Sequence, residues 1–181
     1  EFAVPALVQI LGDPDNPNGQ IHAINVLAQL HAVAVLPLIE TLKSDNELLV
    51  QNAAATLLMI NDSRATPMMA HLANDDRENV RTIASKFVKK AGVDKDALSL
   101  MVDQAVRYLN GIVPAGGFSD VVWQLEGDQL VAKDVPALLY PSELAKSVAG
   151  DAVRIAPSSK QARTWLAAAD RAQAELIDNS I

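Results

Sequence analysis

This 181-residue sequence predicts an all-α fold: a right-handed α-α solenoid of stacked helix pairs with a small β-hairpin insertion. Three observations predict it. The first is one phrase that recurs about every thirty residues: Val4-Pro5-Ala6-Leu7-Val8-Gln9-Ile10, Leu36-Pro37-Leu38-Ile39-Glu40-Thr41-Leu42 and Thr66-Pro67-Met68-Met69-Ala70-His71-Leu72. Behind each proline, apolar residues fall two and five places on: Leu7 and Ile10, Ile39 and Leu42, Met69 and Leu72. A unit of that size cannot bury its own apolar face, so its copies stack. The second is composition: 50% hydrophobic but only 4% aromatic, which suits close-packed helices better than a sandwich of strands. The third is an amphipathic stretch behind each phrase. Val50, Ala54 and Leu57 align with Val80, Ala84 and Phe87, and the spacing of each trio puts it on one helical face. Gln20, Ile24 and Leu27 hold the corresponding places in the first unit.

Each unit is expected to open with its proline in the first turn of a helix, where the missing N–H costs nothing and the fixed φ helps. Short polar turns follow, at 12–19, 43–46 and 73–76. Ser44 with Glu47 and Asp75 with Glu78 have the spacing of a capping box, which predicts where the second helices begin. Gly92 closes the third unit.

Asn79-Val80-Arg81-Thr82-Ile83-Ala84-Ser85-Lys86-Phe87 resembles the second helix of a HEAT repeat, whose usual form is Val-Arg, then alanine, then a large apolar residue. Leu36-Pro37-Leu38-Ile39 and the Asp-rich turns resemble its first helix and turn. The short period resembles the compact bacterial variety, including that of phycobilisome-lyase-like repeats. The resemblance covers about residues 2–92, and Gln20-Ile21-His22 departs from it where Val-Arg is expected. It implies a protein-binding scaffold rather than an enzyme. The alternatives it implies are an accessory lyase-like or small-molecule-handling protein and, more distantly, a nucleic-acid-binding scaffold.

The period is lost after residue 92, so 1–92 is read as three helix pairs. Residues 93–114 form a transition helix, from Asp96 to Asn110, with Leu98, Met101, Val102, Ala105, Val106 and Leu109 on one face, Gly111 as its stop and Pro114 beyond. Residues 115–135 hold a loop at Ala115-Gly116-Gly117 and then two β-favouring runs flanking Glu126-Gly127-Asp128, which predict a hairpin. A lone hairpin is marginal in water, so Val122 or Trp123 must pack on helices. Residues 136–181 form a helical hairpin. Pro141 opens its first helix, Pro157 follows that helix's end, and Ser158 with Gln161 caps the second. The junction Ala152-Val153-Arg154-Ile155-Ala156-Pro157, followed by Ala162 and Leu166, resembles a tetratricopeptide junction.

The net charge is −7, which is not the basic footprint of a nucleic-acid binder. With no cysteine, disulfides and thiolate metal sites are excluded, and no apolar run is long enough to cross a membrane. The chain opens Glu1-Phe2, which reads as an excised fragment of a longer repeat protein and leaves localisation, cytoplasmic or periplasmic, open. His22, His31 and His71 have no i, i+4 partner, so no metal and no cofactor is expected. Asp13, Asp15, Asn16, Asn18 and Gly19 resemble a calcium loop, but Pro17 breaks the pattern and turn formation explains them. No nucleophile elbow, P-loop or dinucleotide glycine pattern is present, so no catalytic residue is assigned.

Arg81, Lys86, Lys89, Lys90 and Lys95 form the densest positive cluster and read as a solvated helix end. The second helices, aligned at thirty, present three rows: His22–Asn52–Thr82, Asn25–Ala55–Ser85 and Gln29–Met59–Lys89. These mostly small, uncharged rows are the expected protein-binding face, with Trp123 as a further anchor because tryptophan concentrates binding energy. The partner is expected to be a protein.

Overall fold

The computed structural model describes residues 3–113 and 121–178. The expected stop at Pro114, the loop at Gly116 and Gly117, and Phe2 lie outside the described residues. The chain divides into two compact units, Glu1–Asp94 with Trp123–Lys133, and Lys95–Val122 with Asp134–Ile181.

In the first unit, three helix pairs follow one another: α1 (Val4–Leu11) with α2 (Pro17–Gln29), α3 (Ala32–Thr41) with α4 (Glu47–Ile60), and α5 (Thr66–Leu72) with α6 (Glu78–Ala91). Within each pair the two helices pack on each other, and α4 packs against both α2 and α6. The second helices thus form one continuous layer with α4 in its middle. That arrangement is the α solenoid which the repeats predict.

The proline rule holds in two units of three. Pro5 and Pro67 sit in the first turns of α1 and α5, but Pro37 lies inside α3. The segment thirty residues later explains the difference. There a separate 3-10 turn, Ser63–Ala65, precedes α5, whereas in the second unit the equivalent residues run straight into the helix. Ala34 and Val35 are fully buried in that extra turn, and Pro37 donates no backbone bond within the helix.

The expected capping boxes are replaced by simpler devices. Asn46 caps α4 by accepting from the Leu49 N–H at 3.2 Å, and Asn16 does the same for α2 through Gly19 at 3.0 Å. Ser44 and Asp75 instead turn onto the N–H two residues on, those of Asn46 and Arg77, each at 2.9 Å. Each second helix also gives way to a residue with positive φ: His31 at 47°, Asn61 at 57° and Gly92 at 65°. Only the last is the glycine that such a backbone favours.

Val50, Ala54 and Leu57, like Val80, Ala84 and Phe87, are buried. In α2 Leu27 is buried, but Ala23 takes the place expected of Ile24, and Gln20 and Ile24 are half-buried. Two Asp-x-Arg pairs tie one repeat to the next. Arg64 forks onto Asp62 through two bonds of 2.8 Å and reaches the Ala32 carbonyl at 3.1 Å. Arg77 forks onto Asp75 and reaches the Ser44 carbonyl at 3.3 Å. The planar guanidinium suits this work, because one edge holds the carboxylate while another N–H reaches the neighbouring turn.

The hairpin consists of β1 (Val121–Glu126) and β2 (Gln129–Asp134), joined at Gly127-Asp128 with Gly127 at φ 61°. A positive φ at the first central residue alone is the type II′ pattern, and glycine is what that place requires. Trp123 and Leu130 are buried, as the marginal stability of a bare hairpin demands. At the tip, the Ser44 hydroxyl donates to the Asp128 carboxylate, so the hairpin turn is held to the turn between α3 and α4.

The second unit holds α7 (Ala97–Leu109), α8 (Tyr140–Ile155) and α9 (Lys160–Asp178), with α8 packed on both others. Asp96 caps α7 through Ser99, and Pro141 opens α8. Ser159, not Ser158, caps α9, accepting from the Ala162 N–H at 3.2 Å. Ala145, Ala149 and Ala152 are buried on α8, and their lack of bulk lets the neighbouring helices approach closely. The helix read as a transition packs with α8 and α9: Met101, Val102, Ala105 and Tyr108 are buried.

Candidate functional site

The outward stripe of the second-helix layer can be read from helix position and exposure together. α4 and α6 each have 14 residues and open on Glu47 and Glu78, so equivalent places are 31 apart. α2 and α4 follow Asn16 and Asn46, 30 apart. Counting this way gives three rows: Ile21–Gln51–Thr82, Asn25–Ala55–Lys86 and Gln29–Met59–Lys90. Every member is exposed or half-buried. On each helix the members are four residues apart, which keeps them on one face.

Most of the expected face residues lie on or beside this stripe. His22, Asn25 and Gln29 are exposed on α2, Ala55 is half-buried and Met59 is 54% exposed on α4, and Thr82, Ser85 and Lys89 are exposed on α6. Thr82 moves to the row of Gln51, while Ser85 and Lys89 stand one residue before Lys86 and Lys90. A single-residue step is about 100° around a helix, so the uniform displacement of thirty mis-set α6. Lys86 and Lys90 were missed for that reason, although Glu47 and Glu78 already showed the longer step. Ile21 and Gln51 were missed because the first row was set one residue late, at His22 and Asn52.

Two expected face residues are internal. Asn52 is only 8% exposed, and its amide donates to the Leu11 carbonyl at 2.8 Å and to Gln20 Oε1 at 3.2 Å. It satisfies the open C-terminal end of α1 from the next repeat, a structural task. Trp123 is 8% exposed and belongs to the packing of the hairpin. Neither side chain is available to a partner.

The charge on the layer is uneven. Within α2, α4 and α6 the acidic residues are Glu47 and Glu78, both in first turns, where the helix dipole favours them. Lys86, Lys89 and Lys90 are exposed toward the other end of α6. The rest of the expected cluster is engaged: Arg81 donates to the carbonyls of Asp75 and Asp76, and Lys95 pairs with Asp103 at 2.7 Å. Behind the layer, the Arg64 and Arg77 guanidiniums hold the Asp62 and Asp75 carboxyls below the usual range through side-chain hydrogen bonds, against the opposing effect of burial.

His22 and His31 are exposed and His71 is half-buried, on different elements. Among the described residues no group of three or more candidate ligands for a metal is gathered. Asp13 accepts from the Asp15 N–H and Asn16 from the Gly19 N–H, so the loop resembling a calcium site is occupied with turn and cap bonds. No described helix is long and apolar enough to cross a membrane.

What the arrangement offers is a broad stepped surface. No curated protein and no solved structure matches the chain. A family model for HEAT repeats matches residues 4–106, more than half of the sequence. The helix pairs, the stacked second helices and that match agree, and the chain belongs to the HEAT-repeat family.

Proposed function

We propose that the protein is a non-catalytic protein-interaction scaffold that binds through the outward stripe of α2, α4 and α6. HEAT repeats are generally scaffolds of this kind. The carrying observation is that Asn25, Gln29, Thr82 and Ser85 stand exposed on stacked helices and their side chains make no hydrogen bond among the described residues. Short side chains on a stiff layer lose little conformational freedom when covered, so many modest contacts add up without a pocket. The Pro157 junction between α8 and α9 supports a tetratricopeptide-like reading of that hairpin, as a second place for helical partners.

A photo-crosslinking residue at position 59 tests the face, with the same residue at Gln9, exposed on α1, as the control. Protein adducts in lysate are expected from position 59, and Asn25→Arg with Ala55→Arg should remove them while the thermal melt stays in place. Equal adducts from both positions would sink this assignment of the face. Adducts to nucleic acid or to a small molecule would favour the nucleic-acid-binding or the lyase-like reading instead.

A further inference from the structure

Resting on that reading, we propose that the partner segment is acidic and carries an apolar anchor. Met59, 54% exposed, is the exposed member of the apolar last turn Leu57-Leu58-Met59-Ile60 of the central helix. Its neighbours in the row are the amide of Gln29 on α2 and the ammonium of Lys90 on α6. One turn back, Asn25 and Lys86 flank Ala55, and Lys89 stands beside Lys90.

From Leu48, Asn79 and Pro17 onward, α4, α6 and α2 contain no acidic residue. In a chain of net charge −7 these helical stretches are therefore a cationic exception, bounded by Asp94 and Asp96 beyond α6. Lys86, Lys89 and Lys90 make no ion pair among the described residues. A nucleic acid would need cations continued across the neighbouring helices to follow its phosphates. α2 contributes Ile21, His22 and amides to the outward face but no lysine or arginine, and α4 contributes Gln51, Ala55 and Met59. A peptide with carboxylates toward α6 and one apolar side chain over Met59 fits all three helices. The ammonium groups steer it, and the apolar contact holds it.

Selection from a random peptide library on the immobilised full chain tests this. Enriched peptides are expected to be net acidic with a central apolar residue. The triple variant Lys86→Gln, Lys89→Gln, Lys90→Gln should weaken them about tenfold or more, with an unchanged melt. Met59→Asp should abolish binding. Enriched peptides without acidic bias that are lost on Ala55→Arg would keep the face but overturn the acidic partner. Peptides bound equally by the Ala55→Arg variant would overturn the face itself. Tighter capture of duplex DNA than of any peptide, or no enrichment, would also overturn the proposal.

Discussion

Replacing Asn52 separates a structural role from a binding role. Its amide reaches across a repeat boundary to the buried end of α1, donating to the Leu11 carbonyl at 2.8 Å and to Gln20 Oε1 at 3.2 Å. In Asn52→Ala the Leu11 carbonyl loses its partner at a buried residue, which costs about 1–3 kcal/mol. The void left behind adds about 1 kcal/mol. A loss of about 2–4 kcal/mol corresponds to roughly 4–16 °C in melting temperature for a chain of this size. Circular dichroism melts and hydrogen exchange at the α1 amides measure it. Asn52→Asp sharpens the case, because an ionised carboxylate would face two acceptors, while Gln20 Nε2 is already committed to the Asp13 carbonyl. That carboxyl should titrate above its unfolded value, so the variant is penalised as pH rises through the ordinary carboxylate range and recovers when protonated. A loss below about 0.5 kcal/mol for Asn52→Ala, the size of an ordinary surface change, would refute the internal role. So would an Asn52→Asp variant insensitive to pH.

Three further outcomes are expected. Asp62 and Asp75 titrate below the usual range because Arg64 and Arg77 hold them, so their contribution is complete above the unfolded carboxylate value and lost as pH falls through the lower folded one. Asp75→Asn should flatten the acid side of the stability curve, and a curve of unchanged slope contradicts the pairing. His31 stands at φ 47° and ψ −122°, a backbone that suits glycine. His31→Gly should therefore stabilise by about 1 kcal/mol in urea unfolding, and a loss would show that the side chain matters more than the strain. Trp123→Ala should cost about 3–5 kcal/mol through lost packing. A variant that melts normally yet fails to capture a partner would return Trp123 to the binding face.

Pro37 shows how far local rules carry. A proline within a recurring phrase reads as a helix start, and Pro5 and Pro67 obey. Pro37 does not: α3 carries a turn ahead of it, with Ala34 and Val35 buried, where the third unit has a separate 3-10 turn. Asn52 reads as a polar surface residue, since nothing nearby in sequence reveals that the end of α1, 41 residues away, needs a donor. The stripe on α6 was legible in principle from Glu47 and Glu78, but apolar matching at thirty also fits, because α4 is buried on two sides and its core positions are too numerous to fix one register.

The amino-acid order alone determined that this protein is built of tandem helix pairs: periodic apolar residues, prolines and polar turns act within a few residues of one another. The family resemblance, the hairpin at Gly127 and the absence of thiol chemistry were likewise readable. Which polar residues face a partner was decided only by tertiary structure. Burial depends on what lies across the repeat boundary, and contacts such as Asn52 to Leu11 join residues that the chain brings together only when its units stack.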